Sequence, residues 1–229
     1  MIAATVPGEV QPHAGRSVRD RDADLTAPLR CKAYGLYSAL LASPCESDID
    51  ARLRADVAVG ELQPYGIDLG ELRRAYLDVG LEQRRLDYSA LFEVGDSGPP
   101  VPIREQQQFS DVSGIREDLI RFYDFFDYTL DERYAWAPDH LSVVVEFFHL
   151  LCFRESEANE DRLSFQLAQL DFGERHLVGW LPILVDQTEA RQQGSIYGHI
   201  LNSLRTFHTR DHVWQASTVF ETGKGSDHG

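Results

Sequence analysis

Along most of the chain, apolar side chains return every three or four positions, the spacing that lays them on one face of a helix, and β-branched stretches alternating with a period of two are absent. This pattern predicts helices over residues 27–41, 48–59, 68–79, 114–126, 138–154, 161–172, 176–188 and 195–213. The most apolar run is APDHLSVVVEFFHLL, residues 137–151, where Leu141, Val144, Val145, Phe148 and Leu151 cover most of the circumference. At about 100° per residue, Asp139, Ser142, Glu146 and His149 fall on its one polar seam. Such a helix belongs in a core, where the seam must find partners or line a cavity. Pro138 suits the first helical position, and Asp139 the first turn, where its charge meets the exposed amides and the positive end of the dipole.

Periodicity lapses in EVGDSGPPVPIREQQQFSDVSG, residues 93–114, where Gly and Pro cluster. The expected fold is therefore all-α: a single helical domain of about eight to ten helices in two lobes, at about 25–94 and 114–214, joined by a Gly/Pro-rich loop at about 95–113. A connection that long is uncommon inside a compact domain unless it takes part in function. Residues 1–24 read as a disordered polar tail and 215–229 as a flexible one. The arginines of GRSVRDRDADL are mixed with Asp20, Asp22 and Asp24, where an export signal would place an apolar run.

Charge narrows the partners. Among 229 residues, 22 Lys+Arg stand against 37 Asp+Glu, a net charge of −15, which repels a nucleic-acid backbone or an anionic membrane surface and attracts a basic partner. No apolar run reaches the length of about 18 residues needed to span a bilayer. Cys31, Cys45 and Cys152 form no CxxC pair, which points to a reducing compartment, the cytoplasm by default.

Candidate chemistry is sparse. In HTRDH, His208 and His212 share a helix face as zinc ligands do, but Thr209 stands where a zinc protease has its glutamate, so the pair reads as an exposed, polar final helix turn. No serine sits in a Gly-x-Ser-x-Gly elbow, and no Gly-rich phosphate loop is present. The expectation is a protein without catalysis, metal or cofactor. The rivals are a helical metal-dependent hydrolase using His208, His212 and a remote carboxylate, and an acidic scaffold that binds a folded partner. The stretch DLIRFYDFFDYTLDERYAW sets Phe122, Tyr123, Phe125, Phe126, Tyr128, Tyr134 and Trp136 among Asp118, Asp124, Asp127, Asp131 and Glu132. Read as core, the rings are buried and the acids solvated. Read as a groove, the rings take an amphipathic ligand and the carboxylates its basic end.

Three stretches together resemble the TorD/DmsD/NarJ family of cytoplasmic chaperones for molybdenum-containing oxidoreductases. DYSALFEVGDSGPPVPIREQQQF resembles a Tyr-x-x-Leu-Phe segment followed by a proline pair and an acid, here Tyr88, Leu91, Phe92, Pro99, Pro100 and Glu105. APDHLSVVVEFFHLL resembles the family's Pro-Asp-His loop and following helix, with Glu146 in the usual glutamate place. FGERHLVGWLPIL is similar to its Phe-x-x-x-His-Leu-x-x-Trp-x-Pro element, here Phe172, His176, Leu177, Trp180 and Pro182. CFRESEA looks most like the branch serving nitrate, selenate, dimethyl sulfide and ethylbenzene enzymes. The chain departs from the family in placing Val101, Pro102, Ile103 and Arg104 before Glu105, which sets a positive charge in that loop.

The resemblance implies an all-α, non-catalytic protein without cofactor. It would bind the twin-arginine signal peptide of the catalytic subunit of a molybdopterin oxidoreductase and hold that subunit until its cofactor is inserted. The residues it points to for client binding are Asp139, His140 and Glu146, with Tyr134 and Trp136 just before them and Tyr88 and Glu105 from the first stretch. Phe172, Leu177 and Trp180 recur at helix-face spacing and are expected in the core.

Overall fold

A computed structural model describes residues 23–45, 49–55, 61–62, 65, 67–96, 98–109, 113–158 and 161–222. The predicted N-terminal tail lies almost wholly outside these residues, as does the end of the C-terminal one. The described helices are α1 (Ala23–Leu41), α2 (Asp50–Ala55), α3 (Leu69–Asp78), α4 (Leu81–Phe92), α5 (Glu105–Gln108), α6 (Ile115–Phe125), α7 (Leu141–Glu157), α8 (Arg162–His176), α9 (Leu181–Arg191) and α10 (Ile196–Thr222). Strands β1 (Glu61–Leu62) and β2 (Ile67–Asp68) form a short antiparallel ladder ahead of α3. The fold is all-α, as the periodicity predicts.

The apolar circumference of α7 places it at the centre. Leu141, Val143, Val144, Val145, Phe147, Phe148, Leu151 and Cys152 are all buried, with α1 packed along one side and α8 along another, while α10 rests on α8 and α9. One core joins Tyr34 and Tyr37 of α1 to Phe147 and Phe148 of α7, Phe172 of α8 and Phe207 of α10. Phe172, Leu177 and Trp180 are core residues, and the Trp180 indole donates to the His176 carbonyl at 2.7 Å, which caps the end of α8.

Three helix expectations are corrected. Helix α4 falls where none was predicted, because its buried face includes Arg84 and Tyr88 while Leu86 points outward, which blurs the apolar period. Pro138 does not open α7: the helix begins at Leu141 and its N-cap is His140, so Asp139 lies in the preceding turn. The last helix runs past residue 213 to Thr222.

The interior also holds an ionic cluster. Arg30 donates to Glu155 at 2.6 Å and to Gln169, and its Nε lies 3.6 Å from Asp211, all three charged side chains being fully buried. Tyr34, Tyr65 and Gln215 donate to Asp211, and Gln166 and Gln169 to Glu155. The cluster ties α1, α7, α8 and α10 together and satisfies nearly every lone pair, the condition under which buried charge is tolerated.

Next to it, His208 is buried and its Nδ1 lies 2.9 Å from the Tyr34 hydroxyl, so HTRDH is not an exposed final turn. His212 pairs with Glu174 at 3.2 Å. The two imidazoles thus face different partners, and no group of three His, Cys, Asp or Glu is placed to hold a metal among the described residues. Burial first, and His212 second, lower the His208 pKa to about 3, and burial lowers that of His140 to about 4. Both values lie below that of an unfolded histidine, so the unfolded chain takes up protons first as pH falls. Acidification from about pH 7 to about pH 5.5 is expected to remove about 1 kcal/mol of stability per histidine. Denaturant titration at the two pH values, with His208→Gln as the comparison, measures it; an unchanged midpoint contradicts it.

Candidate functional site

The chain entering α7 meets the loop before α5. Ile103 accepts the Leu141 amide at 3.1 Å and Asp139 accepts the Glu105 amide through its carbonyl at 3.0 Å, so Arg104 and His140 pair like a scrap of antiparallel sheet. This pairing gathers Tyr88, Glu105, Tyr134, Trp136, Asp139 and His140 around one helix start. Glu146 sits farther along α7 on its exposed side.

Asp139 and His140 are both paired within the chain. Asp139 is fully buried; its Oδ1 accepts Nε and Nη2 of Arg104 at 3.2 and 2.9 Å, and its Oδ2 accepts the Gln106 amide at 3.1 Å. Its charge therefore serves the loop, where the sequence alone had it serving the helix dipole. His140 Nδ1 accepts the Ser142 amide at 3.2 Å, leaving the proton on Nε2, which donates to the Tyr88 hydroxyl at 3.0 Å. The lowered pKa keeps this ring neutral and the cap intact. The Tyr134 ring packs on His140 with centroids 5.6 Å apart.

Glu105 is buried as well. Its carboxylate accepts His176 Nδ1 at 3.1 Å, and His176 Nε2 lies 3.3 Å from Asp118, within ion-pair reach but without hydrogen-bond alignment. Burial raises the Glu105 carboxyl above the ordinary glutamate range, against the pull of His176. This pair fastens the loop to α8, so Glu105 and Tyr88 hold the frame of the site and present no surface.

The exposed face is different. Tyr128, Thr129, Leu130, Asp131, Glu132 and Glu146 line a cleft of about 660 Å³. Tyr128 donates to Glu146 at 3.1 Å, its hydroxyl pKa raised first by burial and then by that carboxylate. The polar seam of α7 thus resolves residue by residue: Ser142 caps with His140, Glu146 opens on the cleft, and His149 Nδ1 donates to the Cys31 carbonyl at 2.8 Å. The rings of the aromatic stretch divide between core and surface. Tyr123 is buried and donates to the Pro138 carbonyl at 2.9 Å, whereas Phe125 and Trp136 are exposed.

Comparison with known proteins places the chain in a family. The model of the nitrate reductase delta subunit family matches residues 62–186, which include the loop, the Pro-Asp-His turn, the cleft and His176. The chain belongs to this family. A selenate reductase assembly chaperone of Thauera selenatis is 36% identical over 143 residues, covering 59% of this chain and 74% of the relative. A chlorate reductase assembly chaperone of Ideonella dechloratans is 35% identical over 136 residues, 57% of this chain and 70% of the relative. A perchlorate reductase assembly chaperone of Dechloromonas aromatica is 34% identical over 116 residues, 46% of this chain and 51% of the relative. No solved structure matches. Within the family region, the sequence alone missed Arg104 as the partner of Asp139 and His176 as the partner of Glu105, because partners 35 and 71 positions apart leave no local pattern.

Proposed function

We propose that this protein is a cytoplasmic assembly chaperone for the catalytic subunit of a molybdopterin oxidoreductase. It binds that subunit's twin-arginine signal peptide and retains the apo subunit until the cofactor is inserted, without itself catalysing a reaction. The observation that carries the reading is the cleft: Glu146 of α7 faces Asp131 and Glu132, which lie on the segment that continues to the exposed Trp136 and the arginine-bound Asp139. Carboxylates beside exposed rings suit a ligand with guanidinium groups followed by an apolar stretch. The net charge of −15 adds long-range attraction for it. Family membership and relatives that are reductase assembly chaperones support the same client class.

Salt separates the two parts of such a ligand. The screening length is about 10 Å at 0.1 M and about 3 Å at 1 M ionic strength, so affinity for an Arg-Arg peptide is expected to fall as salt is added. A Lys-Lys peptide should bind more weakly at every salt concentration because it lacks the planar fork. An Ala-Ala peptide should keep a residual affinity that salt barely changes, since apolar burial is not screened. Calorimetry with the three peptides tests this; equal affinities throughout would remove arginine reading and leave a purely apolar groove.

A further inference from the structure

Asp139 is fully buried, yet two arginines of this chain already converge on it. Arg104 places Nε and Nη2 on Oδ1 at 3.2 and 2.9 Å, and its guanidinium lies over the Trp136 ring at 5.0 Å from the centroid. Arg116 brings Nε to 4.0 Å from the same oxygen while its Nη2 donates to the Trp136 carbonyl at 2.9 Å. A carboxylate beyond the fork and an indole under its plane recognise a guanidinium and discriminate against an ammonium.

The side chain of Arg104 is separable from the loop that carries it. The loop is fixed by backbone bonds from Glu105 to Asp139 and from Leu141 to Ile103, by the Gln106 amide on Oδ2 and by Glu105 on His176. None of these uses the guanidinium. Arg104 is 16% exposed, and Trp136, the other wall, is 60% exposed, so the guanidinium can turn out to solvent without the backbone moving.

We infer that Asp139 and Trp136 form an arginine-binding seat that Arg104 fills from within the chain, and that a signal-peptide arginine binds by displacing it. This rests on the arginine-reading function proposed above. The exchange never strands a buried carboxylate, because the incoming guanidinium makes the same two hydrogen bonds as the outgoing one leaves. Arg104 thereby lowers the fraction of open seats and the apparent affinity for any arginine ligand. Ligands whose apolar stretch adds further contacts offset that loss, and isolated arginines do not.

The test is titration of the full chain, Arg104→Gln and Arg104→Lys with a synthetic peptide carrying two adjacent arginines before an apolar stretch, and with its Lys-Lys and Ala-Ala counterparts. Arg104→Gln is expected to bind the Arg-Arg peptide about tenfold tighter than the natural chain, equivalent to about 1.4 kcal/mol. Arg104→Lys should fall between the two. Neither should gain for the Ala-Ala peptide. Circular dichroism establishes that the variants are folded. Should Arg104→Gln not fold, Arg104→Lys, which keeps a cation beside Asp139, carries the test alone. An Arg-Arg preference in the natural chain with no gain in the folded variants overturns the displacement and leaves arginine reading in place. Equal binding of all three peptides by all proteins overturns both.

Discussion

Replacing Arg30 with methionine is expected to cost about 3–5 kcal/mol, a large part of the roughly 5–15 kcal/mol that holds a typical domain together. The residue has no exposed surface, and neither have Glu155 and Asp211, the carboxylates it faces at 2.6 and 3.6 Å. Methionine fills much of the volume but leaves two buried negative charges without a cation. Their remaining donors, Gln166 and Gln169 on Glu155 and Tyr34, Tyr65 and Gln215 on Asp211, hold the carboxylates in place without neutralising them. Denaturant unfolding, or the soluble yield if the variant is too unstable to purify, measures the loss. Replacing all three charged residues with apolar ones of similar volume is expected to recover much of it, because desolvation and attraction nearly cancel in an intact buried cluster. A single variant as stable as the natural chain would mean that one of the carboxylates is protonated in the folded state.

The same cluster has no signature in the local pattern of the sequence. The apolar faces of α1, α7, α8 and α10 are legible because residues such as Val144, Phe148 and Leu151 repeat at helical spacing. Nothing local announces that Arg30 lies inside, since its partners stand on three other helices. Helix α4 is hidden in the sequence for a related reason: Arg84 goes inward, donating to Asp50 at 2.7 Å and stacking on Tyr76 at 4.2 Å, while Leu86 goes outward. Binary patterning fails wherever a charge is buried with a partner. At the site, family resemblance marks the residues of the Pro-Asp-His turn, but only the fold shows what they pair with. Asp139 reads as a helix-dipole charge only while Arg104 is out of view.

That difference fixes what Asp139→Ala should do. A carboxylate in the first turn of α7 would be worth about 0.5–1 kcal/mol. In the folded chain it accepts two N–H groups from Arg104 and one from Gln106, from a position with no exposure at all. Hydrogen bonds to charged groups contribute about 1.5–3 kcal/mol each, but Arg104 can turn to water once released, so the expected cost is about 3 kcal/mol rather than the sum. The protein should remain folded with a lower denaturation midpoint. Asp139→Asn should be nearly as costly, because an amide turns a donor toward either Arg104 or the Gln106 N–H. Arg104→Ala should cost less than Asp139→Ala, since the Gln106 amide still satisfies one oxygen and Arg116 stays 4.0 Å from the other. In the double variant the loss should fall short of the sum of the singles by about 1–3 kcal/mol, the coupling expected of a pair that touches. Additive losses would mean that Arg104 and Asp139 do not pair in solution, and the seat would then stand open to a client arginine without displacement.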